Sequence, residues 1–129
     1  MTPIEKCKML YTADSPRTFE EDMLAHLSHG CFFSTPEYVM MARPVWSKAE
    51  QSHINDVWLN FPPELWDAWY VYAFALADDQ GLAGLVKKLL RHIPFYLPLI
   101  AWERSGHPLT FFQTDKLIQK YAILQLVQD

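Results

Sequence analysis

The stretch PELWDAWYVYAFAL, residues 63–76, decides the fold. Pro63 suits a first helical position, and Glu64 suits the positive end of a helix. At 3.6 residues per turn Leu65, Trp66, Trp69, Ala73 and Leu76 share one face, with Tyr70, Val71 and Phe74 on the other. We therefore expect a helix over Pro63–Leu76, apolar nearly all round. Such a helix is either central or part of an interface.

Working outward, ADDQG makes a turn holding Asp78 and Asp79. A second helix is expected over Leu82–His92, with Leu82, Leu85, Val86, Leu89 and Leu90 inward and Pro94 beyond its end. LPLIAWERSGHPLTFFQT predicts a β-hairpin pairing Leu99–Arg104 with Leu109–Gln113 through SGHP. Asp115 can cap a last helix from Lys116 onward, with Leu117, Ile118, Tyr121 and Leu124 on one face, although AILQLV is also β-prone.

Upstream, three Ser/Thr-x-x-Glu patterns read as capping boxes, in which a hydroxyl and a carboxylate satisfy first-turn amides. Thr18 with Glu21 opens a helix over Phe19–His29, with Phe19, Met23 and Leu27 as its apolar stripe and Gly30 as a left-handed cap. Ser34 with Glu37 predicts a short helix over Pro36–Ala42, after an extended Cys31–Phe33. Ser47 with Glu50 predicts a helix over Lys48–Trp58, broken by NFPPE. The fold class expected is α+β and predominantly helical, with about five helices and a small C-terminal antiparallel β-hairpin in one compact domain over residues 1–129.

Composition bounds the function. At 129 residues, half hydrophobic and 20% charged, the chain can bury a core and is not a disordered segment. A net charge of −4 disfavours nucleic acid as a general partner. Cys7 and Cys31 do not make a disulfide framework. The N-terminus MTPIEKCKML has no apolar signal core, and the run Ala68–Ala77 is far shorter than the ~20 residues a membrane span needs. These features read as a cytoplasmic protein that does not enter a membrane.

AHLSHGC, residues 25–31, carries the sharpest site hypothesis. His26 and His29 are three apart on a helix, Asp22 lies one turn before His26, and Cys31 follows the turn. That set could ligate zinc, but it lacks paired CxxC or HExxH spacing. A helix terminus explains the same residues more cheaply. On that reading the Cys31 amide bonds the His26 carbonyl, the Gly30 amide bonds the Leu27 carbonyl, Asp22 and His26 pair at the surface, and His29 faces solvent.

Lys87, Lys88, Arg91 and His92 form a cationic face able to hold an anion, although cations also belong at a helix C-terminus. Trp66, Trp69, Tyr70 and Phe74 could line a ligand pocket or a contact with another subunit, or could simply be core. No GxSxG, P-loop, GxGxxG or HExxH appears, so no cofactor is implied. Ser105, with Glu103, Arg104 and His107 close in sequence, reads as a solvated turn, because catalytic groups converge from separate elements.

We therefore expect a non-enzymatic binding or assembly protein. Its partner would be another protein or a second copy of the chain, making a homodimer through the Pro63–Leu76 helix. A small enzyme using Asp22, His26, His29 and Cys31, with or without a metal, is the alternative. Phosphate or nucleic-acid binding through the Lys87 face is the third.

Overall fold

In the computed structural model, which describes residues 1–78, 81–103 and 108–121, Ala68–Leu76 is a β-strand. This overturns the expected Pro63–Leu76 helix and the predominantly helical fold with it. The elements run α1 (Pro3–Lys8), α2 (Phe19–Ser28), β1 (Phe32–Ser34), β2 (Tyr38–Val45), α3 (Gln51–Asn55), β3 (Ala68–Leu76), α4 (Gly81–His92), β4 (Leu99–Trp102), β5 (Thr110–Gln113) and α5 (Thr114–Tyr121). Pro63 and Glu64 do start a helical turn, but it is a 3-10 turn that stops at Leu65.

The fold is α+β around a five-stranded mixed sheet of order β1-β2-β3-β4-β5. β1, β2 and β3 pair antiparallel, β3 and β4 pair parallel, and β4 and β5 pair antiparallel. The expected pairing of the segments around Leu99 and Gln113 is present, but as one side of this central sheet rather than a separate hairpin. Residues 105–107 of its SGHP connection, with Arg104, lie outside the described residues. So do Asp79 and the AILQLV stretch that includes Leu124.

Helices cover both faces of the sheet. On one, Met40, Ala42, Trp69, Val71 and Ile100 pack with Leu89 of α4 and Leu117 of α5. On the other, Val39, Met41 and Ala75 pack with Cys7 of α1 and Phe19 of α2, while Val45, Ala68 and Tyr70 pack with Ile54 of α3. Residues 39, 41 and 45 thus face one way and 40 and 42 the other, the period of two that a strand imposes. Each fully buried aliphatic side chain here contributes roughly 1.5–3 kcal/mol.

β2 replaces the expected Pro36–Ala42 helix. Thr35 Oγ1 accepts from the Glu37 and Tyr38 amides, so the Ser-Thr-Pro-Glu spelling makes the β1–β2 turn. Pro44 is tolerated in β2 because β1 ends opposite Met41, leaving β2 without a neighbour there on that side. α3 is much shorter than the expected Lys48–Trp58. Ser47 does not cap it: its amide and hydroxyl instead donate to Asp67 at 2.7 and 2.5 Å, tying this segment to the start of β3. α1, which the sequence reading passed over, opens on a Thr2–Glu5 capping box, and Lys6 donates to the Ala77 carbonyl. No helix among the described residues is long and apolar enough to cross a membrane.

Candidate functional site

α2 ends as its sequence predicts. Gly30 is left-handed at φ 69°, its amide donates to the Leu27 carbonyl at 3.1 Å, and the Cys31 amide donates to the His26 carbonyl at 2.7 Å. The Thr18–Glu21 capping box opens it. The inward face differs from the expected stripe. Phe19 is buried and Met23 partly so, but Leu27 is 54% exposed, while Asp22, Ala25 and His26 are buried. Asp22 and His26 are therefore core residues and do not pair at the surface. His29, expected to face solvent, is half-buried at the C-cap.

Asp22 is the hub of a polar cluster. Its carboxylate accepts from the Tyr11 hydroxyl at 2.5 Å, Arg17 Nε at 2.6 Å and the Tyr72 hydroxyl at 2.8 Å. Tyr72 in turn accepts from an Arg17 terminal nitrogen at 3.0 Å. Three elements supply these groups: the segment between α1 and α2, α2 itself, and β3.

A second layer lies behind. Arg43 donates to His26 Nε2 at 2.8 Å and to the Ile54 carbonyl at 2.6 Å. A guanidinium cannot accept, so Nε2 is unprotonated, and the proton sits on Nδ1, donating to the Asp22 carbonyl at 2.7 Å. The Arg43 guanidinium lies over the Tyr70 and Tyr72 rings at 5.0 and 5.5 Å. It is 5% exposed, and its Nε has no hydrogen-bond partner among the described residues.

These environments fix the protonation states. Burial and then the Arg43 charge hold His26 down to about 4, against the Asp22 carbonyl bond that favours its cation. Burial raises Tyr11, Tyr70 and Tyr72, reinforced by Asp22 at Tyr11 and Tyr72 and by Glu103 at Tyr70. Burial also lowers Arg43. Cys7 is pushed up to about 11 by burial and Asp22, and burial raises Cys31.

The cluster floors a cleft of about 440 Å³ whose lining includes Tyr11, Arg17, Asp22, Asn55, Tyr70, Tyr72 and Glu103. The Tyr70 hydroxyl reaches Asn55 Oδ1 and Glu103 Oε1, each at 3.4 Å. Volumes of this size accommodate small molecules.

The structure thus brings together Asp22, His26 and Tyr70 from the sequence candidates and places the rest away from them. Trp69 and Phe74 belong to the core under α4, on the face opposite Tyr70. Trp66 is half-buried and donates to the Phe61 carbonyl at 2.7 Å. Trp66 and Trp69 both pack on the Phe95 ring, with centroids 6.0 and 4.8 Å away, and the face of β3 opposite α4 is covered within the chain by α1, α2 and α3.

Both His26 ring nitrogens are occupied, and Nε2 faces a guanidinium, a poor neighbour for a metal cation. Cys31 Sγ donates to the His29 carbonyl at 3.4 Å. Among the described residues no group of three His, Cys, Asp or Glu is placed to hold a metal. The α4 cations are split. Arg91 is exposed and Lys87 half-buried, while His92 stacks on Tyr38 with ring centroids 4.0 Å apart. Lys88 and His92 share a smaller cleft with Glu37 and Asp78, whose carboxylates oppose an anion there.

Sequence reasoning missed Tyr11, Arg17, Arg43 and Tyr72. Arg43 carried a usable signal: in VMMARPV it alternates with Met41 and Val45, which places a charge on a buried strand face. The chain matches no protein-family model, no curated protein and no solved structure.

Proposed function

We propose that the protein is a non-enzymatic binding module whose Asp22 cleft takes a small polar molecule. The carrying observation is a cleft lined by three tyrosines, Arg17, Asn55 and Glu103, above groups whose protonation is locked. A general acid or base works best with a pKa near the operating pH. His26 is held far below neutrality and the three tyrosines are raised, so the cleft offers hydrogen bonds of fixed polarity. Fixed donors and acceptors suit recognition. The raised thiols of Cys7 and Cys31 argue in the same direction, since the thiolate is the nucleophile.

The test is an NMR titration of tyrosine-labelled protein with fractions of a polar metabolite extract. Tyr11, Tyr70 and Tyr72 signals should move together, Tyr38 and Tyr121 signals should stay, and the metabolite spectrum should not change with time. Turnover of any metabolite, or silence at the three cleft tyrosines, would overturn the proposal.

A further inference from the structure

Arg43 has no carboxylate within ion-pairing distance among the described residues: Asp22 is taken by Arg17, and Glu103 lies out on the open rim. Arg17 and Arg43 both flank Tyr72, one on its hydroxyl and one beneath its ring, yet Asp22 is the one buried carboxylate beside them. Asp22 is committed to Arg17, and the ion pairs among the described residues are Arg17–Asp22 and Lys8–Glu20. Among the described residues, a guanidinium that is 5% exposed thus lacks an anionic partner and keeps an unpaired Nε. An uncompensated buried charge is costly, and a negative group nearby offsets the cost.

Arg17 provides the way in. Its side chain is 27% exposed at the cleft, with Nε on Asp22, one terminal nitrogen on Tyr72, and the other terminal nitrogen uncommitted among the described residues. On the rim, Glu103 is exposed and holds Tyr70 at a long 3.4 Å, so it can accept a better donor. From these placements we infer that the ligand of the cleft is a small organic carboxylate, its anion on Arg17 in the field of Arg43 and a hydroxyl or amine donor of the ligand toward Glu103. This inference rests on the cleft being a binding site.

The experiment titrates the full chain with L-alanine, L-lactate, propionate, L-alaninamide, propanediol and inorganic phosphate, reading cleft tyrosine shifts and heats of binding. Alanine and lactate should bind. Propionate should bind more weakly, and alaninamide, which lacks the anion, roughly tenfold to a hundredfold more weakly. R17Q should abolish the preference for the acid over its amide. E103Q, on the open rim, should narrow the gap between alanine and propionate and leave the fold unchanged. If alaninamide or propanediol occupies the cleft as tightly as the acids, the carboxylate inference fails and the binding-module reading stands. If phosphate binds as tightly as lactate, the cleft recognises charge alone and the inference also fails. If no probe moves the cleft tyrosines, the inference fails; the metabolite titration then decides the broader reading separately.

Discussion

Acid should destabilise this protein through His26. Its Nδ1–H donates to the Asp22 carbonyl and its Nε2 accepts from Arg43, so a second ring proton has no acceptor and meets a guanidinium. The other charges acting on the ring are those of Asp22, which favours its cation, and His29, which opposes it. In the unfolded chain the imidazole takes its proton as pH falls through its ordinary 6.5; in the folded chain it waits until about 4. Between those values the unfolded state binds more protons, so stability is complete above pH 6.5 and falls as pH drops toward 4. At about 1.4 kcal/mol per pH unit, the full window removes about 3 kcal/mol and the fall to pH 5 removes about 2 kcal/mol. That is a large share of the ~5–15 kcal/mol typical of a domain.

The assay is urea unfolding at pH 7.5, 6.5, 5.5 and 4.5 for the native chain and for H26Q. The Gln amide offers an acceptor to Arg43 and does not titrate. Every other titratable group is common to both proteins, so the difference between the two curves isolates His26. H26Q should be less stable at pH 7.5 by about 1–2 kcal/mol and should lose less on acidification, so the curves converge. Curves that stay parallel down to pH 4.5 would show that His26 titrates normally, and the buried Arg43–His26–Asp22 arrangement would be wrong.

Three further outcomes follow from the same geometry. Y72F removes a hydroxyl that donates to Asp22 and accepts from Arg17, and should cost about 1–2 kcal/mol in urea unfolding, against under ~0.5 kcal/mol for an exposed-site control such as T12A. R43M removes the cation facing Nε2, so the His26 ring proton signals should titrate at a higher pH than in the native chain; an unchanged titration would refute the contact. G30A meets no atom within 4 Å of the new Cβ, so its cost is the left-handed backbone alone, about 1 kcal/mol in thermal unfolding, and G30N should recover part of it.

Local spelling made part of the fold legible. α2 was readable from Thr18–Glu21 and Gly30, whose capping bonds form within a few residues. α4 was readable because one helical face is solvated and the other meets the sheet, so the 3.6-residue period survives at Val86 and Leu89, although Leu82, expected inward, is 54% exposed. β3 was not readable in that way. Both of its faces are covered, leaving no polar alternation to mark a strand, and its length matched a helix. The contrary signal was residue type: Trp69, Tyr70, Val71, Tyr72 and Phe74 are β-prone. In the site, Asp22 and His26 were visible as a pair four apart, but the helical stripe pointed them outward. Their partners come from 5 to 50 residues away, a range at which no spacing rule operates.

The register of β3 explains how the site fits inside the protein. Met41 pairs with Ala73 and Ala42 with Val71, so Tyr72 is an extra residue opposite β2. A bulge of this kind shifts the phase of the strand by one and re-aims side chains. Trp69 and Val71 face α4 and α5 before it, and Phe74 does so after it, a spacing of three rather than two. On the other face Tyr70 and Tyr72 are followed directly by Ala73 and then Ala75. The same shift sends Phe74 away from α1 and α2 and leaves small alanines beneath them. That leaves room for Tyr72 to reach Asp22 at 2.8 Å and lie 5.1 Å from the His26 ring. A regular strand would turn Phe74 toward Cys7 and Phe19 and displace the helix that carries Asp22 and His26. The irregularity in the strand is therefore what allows the polar cluster to sit inside the protein.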